Sequence, residues 1–76
     1  MKIPYRITEY KEANVDIEGI VDDLKYNGIS KDSITEHIFM NDYYYLDNYS
    51  NMEPGGEVQD SILEDLVNEV SKHFGA

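Results

Sequence analysis

The stretch NDYYYLDNYSN, residues 41–51, decides the fold class, because its four tyrosines suit either a strand or a helix. Residues 43–49 favour a strand and follow an Asn-Asp turn signal. Helical steps of four and seven residues equally well connect Ile34 and Ile38 to Tyr45. The first interpretation predicts an α+β fold, and the second predicts a mainly α fold.

A second strand is predicted at residues 2–8, where apolar and polar side chains alternate and one face receives Ile3, Tyr5 and Ile7. A lone strand needs a partner for its amide and carbonyl groups. Residues 43–49 are the other good strand candidate, and residues 9–13 are interpreted as a polar connection. We therefore predict a small α+β domain whose short two-stranded sheet pairs 2–8 with 43–49, with a mainly α fold as the alternative.

Two to three helices are predicted around this sheet, at residues 15–27, 33–40 and 60–74. The apolar residues of the first recur at helical spacing: Ile17, Ile20, Val21 and Leu24. Asn14 or Asp16 is the expected N-cap, and Gly28 is the expected left-handed residue after the end. Gly19 inside this helix indicates either a close approach of another group or a helix of moderate stability.

Ser-x-x-Glu occurs at Ser33 and again at Ser61, and this pattern predicts a capping box at the start of the second and third helices. The last helix has an apolar face of three turns, formed by Ile62, Leu63, Leu66, Val67, Val70 and Phe74. Gly75 is the expected residue after its end.

Length and composition predict one acidic domain spanning residues 1–76, with a net charge of −10 and no cysteine. The N-terminus lacks the apolar run of a signal peptide and no window is long enough for a membrane span, so we expect a cytoplasmic protein without membrane contact. If the gene belongs to a phage, the compartment is the host cytoplasm. Residues 1–13 balance at +1, so residues 14–76 hold −11. A field of this sign repels phosphate and attracts basic partners, which argues against direct nucleic-acid binding.

Catalytic groups are scarce in this sequence. His37 and His73 are its two histidines, and Ser33 and Ser61 are interpreted as helix caps. His73 follows Glu69 by four residues near a helix end, which favours a structural ion pair. We therefore predict no enzyme activity, no cofactor and no metal site.

The candidate binding surface combines carboxylates with tyrosines. Carboxylates four residues apart on a helix, such as Asp65 and Glu69, are separated by a rise of about 6 Å, comparable with successive phosphates of one strand. Tyrosine is enriched at interfaces and pairs with arginine or lysine through its ring. The candidate partner-binding residues are Asp22, Asp23, Glu36, Asp42, Tyr43, Tyr44, Tyr45, Asp47, Tyr49, Glu64, Asp65 and Glu69.

The run DSITEHIFMNDYYYLDNYS, residues 32–50, resembles the small acidic phage-encoded DNA-mimic inhibitors of the Ocr antirestriction type. That resemblance implies a protein that occupies the DNA groove of a restriction or other DNA-processing enzyme. It also implies that Asp42 and Asp47 are contact residues, and that residues 43–45 are partly support and partly contact. A layout of strand, helices and acidic final helix is similar to the DinI type of recombinase modulator.

The predicted function is a non-enzymatic inhibitor or modulator that binds the basic, DNA-binding surface of another protein, with nucleases among the candidates. The alternative is a protein interaction or oligomerising accessory module, for example a homodimer, that uses the tyrosine-rich patch. A small enzyme is the third and least favoured class.

Overall fold

The sheet is a local hairpin at the start of the chain, and the computed structural model describes residues 1–75. Strand β1 (Lys2–Arg6) pairs antiparallel with strand β2 (Tyr10–Asn14), so that Ile3 lies opposite Ala13 and Tyr5 opposite Lys11. The predicted α+β class and the strand at 2–8 are confirmed. The partner strand predicted at 43–49 is wrong, because residues 10–14, expected to be a connection, supply the pairing.

Strand β2 was not predicted because apolar and polar residues alternate only weakly in it. Of its five side chains, only Ala13 is buried. Pairing with a neighbour a few residues away also closes a much shorter loop than pairing across forty residues, which costs less chain entropy. The local partner is therefore favoured over the distant tyrosine stretch.

Helix α1 (Ile17–Tyr26) confirms the prediction at 15–27 and its caps. The Asp16 carboxylate accepts a hydrogen bond from the Gly19 amide at 3.0 Å, and Gly28 adopts a φ of 69° after the helix end. Gly19 is needed for close approach, since a Cβ there would lie 2.8 Å from Cδ1 of Tyr49.

Residues 42–48 form helix α3, which follows helix α2 (Ile34–Met40) after the single residue Asn41. Helix α2 confirms the prediction at 33–40, and a short 3-10 turn, Lys31–Ser33, precedes it. Tyr45 and Leu46 are adjacent and both buried, an arrangement that a strand with alternating faces does not allow. This packing explains why the strand-favouring tyrosines are helical.

The final helix, α4 (Asp60–Phe74), has the predicted bounds and packs against α1 and α2. Its buried side chains are Leu63, Leu66, Val67 and Val70. The two capping boxes are wrong. The Ser33 side chain makes no capping hydrogen bond, and α4 begins after Gln59, which places Ser61 inside the helix. Gly75 ends α4 with a φ of −86°, so it does not use the left-handed conformation.

The loop between α3 and α4 attaches the helices to the hairpin. Arg6 and Glu57 exchange backbone hydrogen bonds of 2.9 and 2.8 Å, and the Asp16 amide donates to the Tyr49 carbonyl at 2.7 Å. The inner face of the sheet, with Ile3, Tyr5 and Ala13, then joins the core formed by the four helices of residues 1–75.

Candidate protein-binding surface

Asp23 on α1 is the centre of a cluster of tyrosine hydroxyls from the region of α3. Tyr44 and Tyr49 donate to Oδ2 at 2.8 and 2.6 Å, and Tyr45 donates to Oδ1 at 3.3 Å. Asn27, one turn further along, donates the fourth hydrogen bond to this carboxylate, to Oδ1 at 3.0 Å. One carboxylate therefore connects the tyrosine stretch to the first helix.

Helical spacing makes this convergence possible. Tyr45 and Tyr49 are four residues apart, so their rings lie on one side of the helix and stack with centroids 6.1 Å apart. The Tyr44 ring meets the Tyr45 ring edge to face at 5.0 Å. The absence of a side chain at Gly19 lets the Tyr49 ring approach α1 closely enough to reach Asp23.

The ionisation of the cluster follows from these contacts. Partial burial disfavours the charged form of Asp23, but the hydrogen bonds from Tyr49, Tyr44, Tyr45 and Asn27 outweigh it, and the pKa of Asp23 lies below its ordinary value. Burial, followed by the charge and hydrogen bond of Asp23, raises the pKa of Tyr45 to about 12. The hydrogen bond to Asp23 also raises the pKa of Tyr44 and of Tyr49. Near neutral pH the cluster thus consists of an ionised carboxylate held by neutral phenols.

Three large side chains at the α2–α3 junction are exposed: Met40 at the end of α2, and Tyr43 and Tyr44 in the first turn of α3, with exposed fractions of 75, 62 and 49%. We call these three residues the elbow patch. Carboxylates from the same two helices lie before, within and after it in sequence, at Glu36, Asp42 and Asp47. Beside Met40 is a shallow groove of about 240 Å³ lined by Ser33, Glu36, His37, Met40 and Asn41.

Positive charge is missing from most of the helical part of the sequence. Residues 32–71 contain ten carboxylates and neither lysine nor arginine. Within residues 1–75, the cation–π contacts are those of Arg6 over Tyr10 and Lys25 over Phe74, so the rings of the elbow patch have no cation over them. Every charged Asp, Glu, Lys or Arg side chain that neighbours the elbow patch in sequence is therefore a carboxylate.

The other predicted contact residues are distributed over two further surfaces. Asp22 lines a groove between α1 and α4 with Glu18, Lys25 and His73. Glu64 and Asp65 are exposed on α4. Glu69 already has partners on its own helix, with its carboxylate 3.7 Å from Lys72 Nζ and 3.2 Å from His73 Nε2.

The structure divides the predicted tyrosines into two groups. Tyr45 is 1% exposed and Tyr49 is half-buried, and both use their hydroxyls within the cluster together with Asp23. Tyr43 and Tyr44 present their rings to solvent.

Sequence reasoning did not single out Met40 or Asn27. The helical spacing of four residues from Asp23 to Asn27 was the available signal for Asn27.

Comparison with protein-family models, curated proteins and solved structures finds no match to this chain. Within residues 1–75, no helix has both the length and the apolar character needed to cross a bilayer. The same residues hold no group of three His, Cys, Asp or Glu side chains arranged for a metal ion.

Proposed function

We propose that this protein is a non-enzymatic inhibitor or modulator that binds the basic groove of a nucleic-acid-processing or host-defence protein by mimicking the charge of DNA. The observation that carries the proposal is the run of ten carboxylates without a lysine or arginine in residues 32–71. A surface of this sign attracts the lysine and arginine side chains that line DNA-binding grooves, and it accelerates their encounter.

The dimensions of the domain support the same proposal. Its Cα atoms extend 36 Å along the longest axis and 20 Å along each of the others. Dividing 36 Å by the ten net charges gives one negative charge per 3.6 Å of length. Along the helix axis of DNA, one strand carries a phosphate about every 3.4 Å, and a duplex carries one about every 1.7 Å. Averaged along its longest axis, the net charge of the domain is therefore close to that of one strand.

A second candidate is an interaction or oligomerising module that uses the tyrosine-rich surface. It is favoured by the exposure of Met40, Tyr43 and Tyr44, since large exposed apolar side chains that cluster are typical of interaction sites. Such a module would gain its affinity from apolar burial and would depend weakly on salt.

Binding to purified DNA-processing enzymes, measured across a salt series with a labelled duplex as competitor, tests the proposal. We expect the logarithm of the affinity to fall linearly with the logarithm of the salt concentration, and we expect DNA and this protein to exclude each other. Salt-independent binding, or a ternary complex with DNA, would contradict mimicry.

Two double variants with the same charge change sharpen this test. Glu64→Gln with Asp65→Asn neutralises exposed carboxylates of α4, whereas Glu53→Gln with Glu69→Gln neutralises carboxylates that already face Lys11, Lys72 and His73. Mimicry predicts a larger loss of affinity and of salt slope for the first variant. The second candidate predicts that neither variant matters and that Tyr43→Ser abolishes binding.

A further inference from the structure

We propose that the elbow patch, Met40 with Tyr43 and Tyr44, anchors the interface by taking a segment of the basic partner in which arginine stands next to an apolar side chain. This inference rests on the proposed function and adds the chemistry of the contacting segment. It assigns the apolar side chain to the groove beside Met40, and the guanidinium to the faces of the two tyrosine rings.

The side chains of the patch have the composition that interface centres favour. Aromatic residues, methionine and arginine are enriched there, whereas lysine and acidic residues are depleted. Methionine adapts its shape to a partner because its unbranched chain has several rotatable bonds. The groove of about 240 Å³ beside Met40 is large enough for one aliphatic side chain, which would lie against Met40, the apolar part of its wall. Its other lining residues, Ser33, Glu36, His37 and Asn41, are polar.

Tyr44 is held in place before any partner arrives. Its hydroxyl donates to Asp23 at 2.8 Å, and its ring lies against Tyr45 at 5.0 Å, yet about half of the side chain remains exposed. A side chain already fixed in one rotamer loses little conformational entropy on binding. The Asp23 cluster therefore prepares a rigid aromatic surface at the patch.

A comparison with Tyr10 on β2 indicates which charge the patch accepts. Tyr10 is 63% exposed and Tyr43 is 62% exposed. Arg6 of the same hairpin lies over the Tyr10 ring at 5.9 Å, whereas no cation of residues 1–75 lies over Tyr43 or Tyr44. The nearest charges in sequence are the carboxylates of Asp42 and Asp47. The chain supplies the cation for Tyr10, whereas the rings of the elbow patch are open to a cation from a partner.

Arginine fits this position better than lysine. Its planar guanidinium stacks on an aromatic face and still presents donors in a fork that matches a carboxylate. A second copy of the chain is a poorer occupant, because two bodies with a net charge of −10 repel each other. The observations thus favour a basic partner segment over self-association.

Short helical peptides serve as probes of the patch, with binding measured by fluorescence anisotropy of the labelled peptide at low and high salt. The first peptide carries arginine and leucine on one face, the second has serine for leucine, and the third has lysine for arginine. We expect the arginine–leucine peptide to bind about tenfold more tightly than its serine counterpart, through leucine burial. We expect it to bind about threefold more tightly than its lysine counterpart, through stacking.

The double variant Met40→Ser with Tyr43→Ser should remove the preference for leucine and reduce the preference for arginine, while the affinity for the arginine–serine peptide should fall only by the loss of stacking on Tyr43. Both side chains are exposed and neither change alters the net charge. A retained amide NMR spectrum is the folding check. Tyr10→Ser is the matched control, with equal exposure and equal chemistry, and it should leave both preferences intact.

The outcomes separate the two proposals. If the leucine preference survives in the Met40→Ser, Tyr43→Ser protein, or disappears in the Tyr10→Ser protein, the anchor is wrong and mimicry still stands. If no peptide shows salt-dependent binding, the proposed function itself fails. A stable dimer in sedimentation that Tyr43→Ser dissociates would replace the basic segment with a second copy as the occupant.

Discussion

The hairpin and the α2–α3 region both place tyrosines at the surface, but the charged side chains beside them have different kinds of partner. In the hairpin, the Tyr10 hydroxyl meets the neutral amide of Gln59 at 3.3 Å, and Lys11 Nζ forms an ion pair with Glu53 at 2.9 Å. In the helical region, three tyrosine hydroxyls surround the carboxylate of Asp23. A cation of the hairpin thus compensates the charge of Glu53, whereas neutral donors hold the charge of Asp23 between α1 and α3.

This difference explains how the fold tolerates so much acid. A phenol that donates to a carboxylate satisfies its hydrogen-bonding capacity without cancelling its charge. Asp23 can therefore join α1 to α3 and still contribute to the negative field. The hairpin, with its own cations, has little electrostatic need of a partner.

Among the substitutions that test this difference, removal of the carboxylate at the centre of the cluster should have the largest effect on stability. Asp23→Ala leaves three tyrosine hydroxyls without their acceptor, and we expect the free energy of unfolding to fall by about 2 kcal/mol. Urea unfolding followed by circular dichroism measures the loss.

Asp22→Ala is the matched control, since Asp22 is the adjacent carboxylate and is exposed. A surface substitution of this kind changes stability by about 0.5 kcal/mol or less. Equal losses in the two variants would show that the cluster does not stabilise the helices.

Gly19→Ala tests the close approach of Tyr49 to α1. Helix propensity alone predicts a gain of about 1 kcal/mol. The added Cβ would lie 2.8 Å from Cδ1 of Tyr49 and 2.5 Å from Oδ2 of Asp16, so that the ring and the N-cap must both move. We expect a net loss of about 1 kcal/mol in urea unfolding. Glu18→Ala, at the preceding exposed position, should cause no comparable loss, and a more stable Gly19→Ala protein would contradict the packing.

Alkaline pH should weaken the helical region through Tyr45. Its pKa is raised to about 12 in the folded protein, against about 10 for an unperturbed tyrosine. The stabilisation linked to this shift is complete below pH 10 and is lost as the pH rises through about 12. Urea midpoints measured between these values should fall, and tyrosinate absorbance should show a late-ionising phenol. In Tyr45→Phe both effects should shrink. Equal pH dependence in the two proteins would exclude Tyr45 as the cause.

The smallest effect is expected in the hairpin. Lys11→Gln removes an ion pair in which both side chains are largely exposed, and such pairs contribute little to stability. The urea midpoint should stay within experimental error, because the backbone hydrogen bonds of β1 and β2 remain. A loss as large as that of Asp23→Ala would mean that the two regions depend equally on charged side chains.

The parts of the fold that local pattern could predict are those with a continuous apolar stripe. Helices α1, α2 and α4 and strand β1 were predictable because the spacing of Ile, Leu and Val identifies the buried face. Strand β2 has one buried side chain and therefore little pattern to detect. In α3, the β-propensity of the tyrosines was overridden because tertiary packing buries Tyr45 and Leu46 together.

The candidate surface shows the same division. Its residue types and its negative charge were readable from composition, and so were Tyr43 and Tyr44 as exposed candidates. The internal role of Asp23, Tyr45 and Tyr49 was not readable, because the residues that meet there are more than twenty positions apart in the chain.

The sequence by itself determined strand β1, three of the helices, the cap at Asp16 and the excess of carboxylates, since each depends on neighbouring residues or on composition. The tertiary structure decided which strand completes the sheet, that the tyrosine stretch is helical, and which tyrosines remain outside. The last two outcomes depend on contacts between distant residues, above all on the convergence of Tyr44, Tyr45 and Tyr49 on the single carboxylate of Asp23.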